Sequence, residues 1–245
     1  MATETRPPRA GEALDQAALG HWLRAILPDA VDDPVIRQFP GGASNLTYLI
    51  TVGGRDYVLR RPPFGTKAAS AHDMEREYRI LSALRPVYPY CPQPVAWCGD
   101  KAVLGEPFYL MERLSGTILR RELPPDLTLT RAAATALCRN LVDVHLELHR
   151  VDYEAAGLAG FGKPAGYVGR QVHGWSKRYR AARTDDVPDN EALMAWLVEH
   201  MPPDDPQPAV IHNDYKFETW SSARRTVRCA SSGCSTGRWR RSGIR

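Results

Sequence analysis

The chain has 245 residues, 43% of them hydrophobic, and a formal net charge of +4. That is core material for one large domain or two small lobes, and no apolar run approaches the roughly 18–20 residues of a membrane span. The N-terminus, MATETRPPRAGEALDQ, lacks the apolar centre of a secretion signal, so the expectation is a soluble cytoplasmic protein with no membrane partner.

The positive charge belongs to one end. Residues 218–245 hold seven arginines and one acid, whereas residues 1–217 carry 25 basic and 27 acidic side chains, a net of −2. The body of the chain therefore gives no electrostatic sign of a nucleic-acid partner, and none is expected despite the arginine-rich end. The five cysteines show no zinc-like pairing at two-residue spacing.

In chain order, LDQAALGHWLRAIL (Leu14–Leu27) has helical apolar spacing and is stopped by Pro28. Asn45–Val52 and Arg55–Arg61 read as two strands joined at Gly53-Gly54. Ala69–Leu84 reads as a helix, followed by strands over Pro94–Cys98 and Pro107–Leu114. Beyond Gly116 the character turns helical, with Leu129–His149, Ala165–Ala182 and Asn190–Met201 as helices. A short apolar strand, Pro208–Ile211, then leads into His212-Asn213-Asp214. The pattern is α+β in two lobes. A sheet with one crossing helix meets a helix-rich part near Leu114–Gly116. The expected segments are 1–30 (N-terminal, helical), 31–114 (the sheet-rich lobe), 115–217 (an incomplete helical lobe) and 218–245 (a disordered tail).

Several residues carry candidate chemistry. Gly41-Gly42-Ala43-Ser44-Asn45 lies between strand candidates, where glycines permit close approach of backbone to phosphate. A turn and nothing more is the commoner meaning of such a stretch. Arg60 ends a strand and Glu77 sits in a helix. A strand cation held by a helix carboxylate suits nucleotide phosphates, with Arg61 or Glu75 as alternatives that spacing does not separate. Glu112 and Leu114 end a strand at the lobe boundary, where backbone groups can meet an adenine edge. Asp214, just after a buried strand, is placed to orient or deprotonate a substrate hydroxyl. His212 is read as support for that loop. A metal-ligand reading of His212 and Asp214 is poorer, because no third ligand lies nearby in sequence.

FPGGASNLTYLI, YVLRRPP, HDMEREYRILSAL, FYLMERLSG and VIHNDYKF occur in this order over Phe39–Phe217. Together they resemble the aminoglycoside phosphotransferase-like family of small-molecule kinases. Within it they resemble the branch related to the kinase-like domain fused to some acyl-CoA dehydrogenases. The resemblance implies a protein-kinase-like fold, with an antiparallel N-lobe sheet plus helix and a mostly helical C-lobe. It implies ATP and Mg2+ as cofactors and a small-molecule hydroxyl as acceptor, such as that of a hydroxyacyl-CoA-type metabolite. It also implies roles. Gly41 to Asn45 cover the phosphates, Arg60 contacts them with Glu77 as partner, Glu112 and Leu114 meet adenine through backbone, and Asp214 is the catalytic base.

The pattern then departs from the family. An asparagine expected five residues after Asp214 to hold Mg2+ is Thr219, and no aspartate follows Asp214. No metal-binding residue is therefore assigned, and weak or absent activity is expected. The alternative is a non-catalytic nucleotide-binding pseudokinase or interaction protein. A third reading, an arginine-rich nucleic-acid arm, ranks below both. The genetic code permits another account of residues 218–245. If one base is lost near codon 218, the shifted frame permits Asp-Asn-Leu-Val-Leu after Phe217. Further on it permits a hydrophobic strand and Val-Leu-Asp-Trp-Glu-Met. The expectation is a frame slip.

Overall fold

The computed structural model describes residues 5–40, 45–65, 73–116, 119, 123, 127–203, 207–217, 220–221, 226–227 and 235–238. Five strands form one antiparallel sheet in the order β1-β2-β3-β5-β4. They are β1 (Val35–Gln38), β2 (Leu46–Val52), β3 (Arg55–Arg61), β4 (Pro94–Cys98) and β5 (Phe108–Glu112). The tight β2–β3 turn puts Gly53 at φ +56° and Gly54 at φ +70°. A Cβ on Gly53 would stand 2.1 Å from the Asp29 carbonyl oxygen, so only glycine fits there. Strand β1 is short; it pairs with β2 along its length, and Gln38 at its end also exchanges two backbone hydrogen bonds with Arg6, at 2.9 and 2.7 Å.

Alternation along these strands divides the sheet into two faces. One carries Leu46, Tyr48, Ile50, Leu59, Phe108 and Leu110, all in a single buried cluster with Leu19 and Leu23 of α1 (Gln16–Ile26). Asp15 caps α1 by accepting from the Ala18 N–H at 2.9 Å. Helix α1 is thus packed into the sheet rather than forming a segment apart. Trp22 meets Phe108 edge-on at 4.8 Å. The other face carries a smaller cluster, Phe39, Leu49 and Val58 with Met111 beside it.

Helix α2 (Met74–Leu84) buries Met74, Ile80, Leu81 and Leu84. It starts later than the expected Ala69 because Asp73 is its N-cap, with non-helical backbone and a carboxylate that accepts from the Arg76 N–H at 2.9 Å. Residues 66–72 lie outside the described residues. A short helix, α3 (Lys101–Leu104), precedes β5 and was not expected. Helix α4 (Arg131–His149) is capped by Thr130, whose hydroxyl accepts from the Ala133 N–H at 3.2 Å. The Tyr88 hydroxyl, which follows α2, donates to the Val144 carbonyl of α4 at 3.2 Å.

The chain falls into two compact units. The first holds residues 1–147 and 212–234. Within it, Trp220–Ser221 and Thr226–Val227 pair as strands β7 and β8. The second runs from Leu148 to Ile211 and includes Ser235–Arg238. It contains a 3-10 turn at Ala159–Phe161, α5 (Tyr167–Ala182), α6 (Glu191–Glu199), β6 (Pro208–Ile211) and β9 (Ser235–Arg238). Strand β9 pairs antiparallel with β6, from Pro208↔Arg238 to Ile211↔Ser235. Strands β7, β8 and β9 fall within residues 218–245, the stretch expected as a disordered tail. A ladder needs only backbone donors and acceptors, so a stretch without a hydrophobic pattern can still form one.

Helices α5 and α6 are tied by Arg180, whose Nε and Nη2 donate to the two Glu191 carboxylate oxygens at 2.7 and 2.6 Å. The Tyr179 hydroxyl donates to the Pro188 carbonyl at 2.6 Å and fixes the loop between them. Asn190 sits at φ 56° and α6 begins one residue after it. Among the described residues, no helix is long and apolar enough to cross a membrane.

Candidate nucleotide and phosphotransfer site

The sheet face opposite α1 bears a cavity of about 90 Å³ in the first unit. Phe39, Val58 and Met111 give it apolar walls, and Arg60 and Leu114 stand at its edge. Apolar walls with a few polar groups are the usual lining of a small-molecule site. Leu114 N–H has no acceptor among the described residues, which leaves it as a donor to a ring nitrogen. Glu112 has its N–H and its carboxylate engaged. Its N–H already donates to the Gln93 carbonyl at 2.9 Å. Its carboxylate accepts from the Gln93 N–H at 2.9 Å and lies 3.6 Å from Arg85 Nη2. An adenine contact from Glu112 would fall to its carbonyl.

The structure separates the charged pairs that spacing left open. Arg60 and Arg61 leave β3 on opposite faces. Arg61 is 2% exposed on the α1 side, stacked over Phe64 at 3.7 Å, and burial pulls its pKa down. Arg60 points to the cavity face, with Nε 3.4 Å from Glu77 Oε2, in ion-pair reach but not aligned as a hydrogen bond to that oxygen. Glu75 instead lies along the exposed side of α2, 4.0 Å from Arg79. The pair on the cavity face is therefore Arg60–Glu77.

Glu77 is held by two further side chains. Asn45 Nδ2 donates to Oε1 at 3.0 Å and the Tyr109 hydroxyl donates to Oε2 at 3.0 Å. Asn45 is 2% exposed and its amide is turned to Glu77. Gly41, Gly42, Ala43 and Ser44 lie outside the described residues. Tyr109 was missed in the sequence, where a tyrosine in an apolar strand reads as core. Its register partner, Arg60, is the signal that could have found it.

The Asp214 loop is built on aromatic packing. His212 is 1% exposed, and its Nδ1 accepts from the Asp214 N–H at 3.3 Å, which leaves its ring proton on Nε2. The His212 ring meets Tyr215 edge-on at 5.6 Å. Tyr215 stacks on His145 of α4 at 4.1 Å and donates its hydroxyl to the Leu141 carbonyl at 2.6 Å. Burial pushes the Tyr215 hydroxyl pKa well above its ordinary range, so it remains a donor. Asn213 takes the left-handed conformation at φ 60°, tolerated by asparagine but not by branched side chains. The loop thereby holds Asp214 partly exposed, with Oδ1 3.1 Å from Lys216 Nζ. Lys216 was not singled out in the sequence.

A nucleotide fits the polar groups at the cavity, with Leu114 N–H for the base and Arg60 for phosphate. Magnesium does not find a comparable set. Among the described residues no three His, Cys, Asp or Glu side chains cluster as ligands, and Asp214 is already beside an ammonium group.

The second unit has its own concavity, about 590 Å³, between α5 and α6. Trp175, Tyr179, Leu193, Met194 and Leu197 line it. Trp175 remains 63% exposed, with the Arg178 guanidinium 4.0 Å above its ring.

Three comparisons place these features. The profile of the phosphotransferase enzyme family matches residues 35–218. Mouse acyl-CoA dehydrogenase family member 10 is 38% identical over 215 residues, which is 87% of this chain and 20% of that protein. A Ralstonia eutropha structure assigned as an aminoglycoside phosphotransferase is 31% identical with a TM-score of 0.74, covering 89% of this chain and 64% of that one. An aminoglycoside 2''-phosphotransferase solved with GDP and kanamycin is 18% identical with a TM-score of 0.59, covering 90% of this chain and 71% of that one; it supports the fold alone. This chain spans under two thirds of the mouse and Ralstonia relatives. With three quarters of its length under the family profile, the chain belongs to the phosphotransferase enzyme family, and its sheet-plus-helix fold is that of the aminoglycoside phosphotransferases and protein kinases.

Proposed function

We propose that the chain is the nucleotide-binding part of a small-molecule kinase that takes ATP as phosphate donor. The single observation that carries this is the Arg60–Glu77 pair at the edge of the same cavity as the unaccepted Leu114 N–H. Base and phosphate contacts then stand on one face of one sheet. Asp214 is the group that would take the proton of the acceptor hydroxyl as its oxygen bonds to the γ-phosphorus and ADP leaves. His212 and Tyr215 brace that loop. Lys216, 3.1 Å from Asp214, must release it for the carboxylate to act as a base.

The acceptor we propose is a hydroxyl on a hydroxyacyl-CoA-type metabolite. The support is likeness to proteins named as acyl-CoA dehydrogenase family members. The chain is proposed to transfer phosphate weakly or not at all, because Thr219 stands five residues after Asp214, where an asparagine would hold Mg2+. That same observation favours a second reading, a pseudokinase that binds nucleotide without turnover. A base lost near codon 218 remains our account of residues 218–245, and resequencing codons 214–222 tests it. Nucleotide titration with and without Mg2+, beside an ADP-release assay, tests the function. Binding without turnover is expected. Magnesium-dependent turnover abolished by Asp214→Ala would overturn the proposed inactivity, and absence of binding would overturn the nucleotide reading.

A further inference from the structure

We infer that Tyr109 is a positioning residue for phosphate recognition, holding Glu77 so that Arg60 can exchange its carboxylate partner for a nucleotide phosphate. The inference rests on the nucleotide reading above. Its basis is register. Arg60 of β3 and Tyr109 of β5 are directly paired across the sheet, so both side chains leave on the cavity face and both reach the same carboxylate oxygen. Tyr109 is 1% exposed and the Glu77 side chain 13% exposed. A carboxylate this buried is costly to leave short of donors.

Two arrangements of Arg60 follow. With its guanidinium on Glu77, Oε2 lies in reach of both the arginine and the tyrosine hydroxyl. With the guanidinium turned to phosphate, Oε2 keeps the hydroxyl and Oε1 keeps the Asn45 amide. Tyr109 therefore lowers the cost of the exchange, and it does so without touching the nucleotide. An ordinary buried tyrosine that satisfies its hydroxyl would affect the fold but would not distinguish a ligand with phosphates from one without.

That difference is the test. Affinities of the whole chain for ATP and for adenosine are measured by calorimetry in the wild type, in Tyr109→Phe and in Tyr109→Met, which fills the space with a flexible apolar side chain. A lost hydrogen bond to a charged group predicts that ATP affinity falls about tenfold or more, with adenosine affinity within about twofold of wild type. In a Glu77→Gln background, Tyr109→Phe should add little further loss for ATP. Equal losses for ATP and adenosine, or unchanged ATP affinity, would overturn the inference while leaving the nucleotide reading intact. If wild type binds neither ligand, both fall. If one substitution fails to fold, the other decides on the same ratio; if both fail, the hydroxyl is structural and the inference is wrong.

Discussion

At the scale of single residues, three positions separate recognition, loop conformation and pH response. Leu114 contributes a backbone N–H rather than a side chain. Leu114→Pro removes that donor and is expected to weaken ATP and adenosine alike, by about tenfold for one hydrogen bond of roughly 1–1.5 kcal/mol. This contrasts with the phosphate-selective loss expected at Tyr109. Asn213 holds the loop at φ 60°. Asn213→Val should destabilise by about 1–2 kcal/mol and Asn213→Gly should be nearly neutral, as read from urea unfolding midpoints. Asp56 of β3 is held below its ordinary pKa of 3.8, first by the Thr51 hydroxyl donating to Oδ1 at 2.6 Å, then by Arg113 on its other oxygen. A depressed folded pKa gives stability that is fully present above the unfolded value of 3.8 and lost as pH falls through the lower folded value. The unfolding midpoint of Asp56→Asn should therefore lie below wild type at neutral pH, and the gap should close under acid conditions.

At the scale of elements, the two units differ in how well their apolar faces are covered. The sheet is packed against α1 on one side, and its small cluster on the other lines the cavity proposed for nucleotide. The α5–α6 pair leaves Trp175, Leu193 and Trp196 more than half exposed. Exposed apolar area of this kind binds hydrophobic dyes and promotes association. The folded chain is expected to enhance the fluorescence of anilinonaphthalene sulfonate, and a Trp175→Gln, Leu193→Gln variant to lose most of that signal with little change in melting temperature. An unchanged signal would place the dye elsewhere. The bounds of these elements were largely legible because caps and period agree. Asp15 and Pro28 bracket α1, and the glycine pair sets the β2–β3 turn. Helix α2 was placed too early because apolar spacing continues upstream of Asp73, and only the capping contact ends it there.

At the scale of the whole molecule, the ion pair proposed to meet phosphate could be narrowed in the sequence only to a choice of neighbours. A strand cation and a helix carboxylate can be named from sequence. Whether Arg60 or Arg61 faces the helix depends on which sheet face α1 covers, a long-range packing fact absent from local pattern. Tyr109 and Asn45 were hidden for the same reason, since their common partner Glu77 is 32 residues away from each. Lys216 was visible as a residue, but its contact with Asp214 depends on the left-handed turn at Asn213. Strand β9 was not legible at all, because its pairing with β6 is made by backbone. These residues converge on one claim, that this family member recognises ATP through a base slot at Leu114 and a phosphate pair at Arg60 and Glu77. The most direct measurement is a calorimetric titration of the purified chain with ATP, repeated with Arg60→Ala. Saturable one-to-one binding that Arg60→Ala weakens at least tenfold, with adenosine binding retained, is the predicted result. No ATP binding by the folded wild type, or ATP binding indifferent to Arg60→Ala, would contradict it.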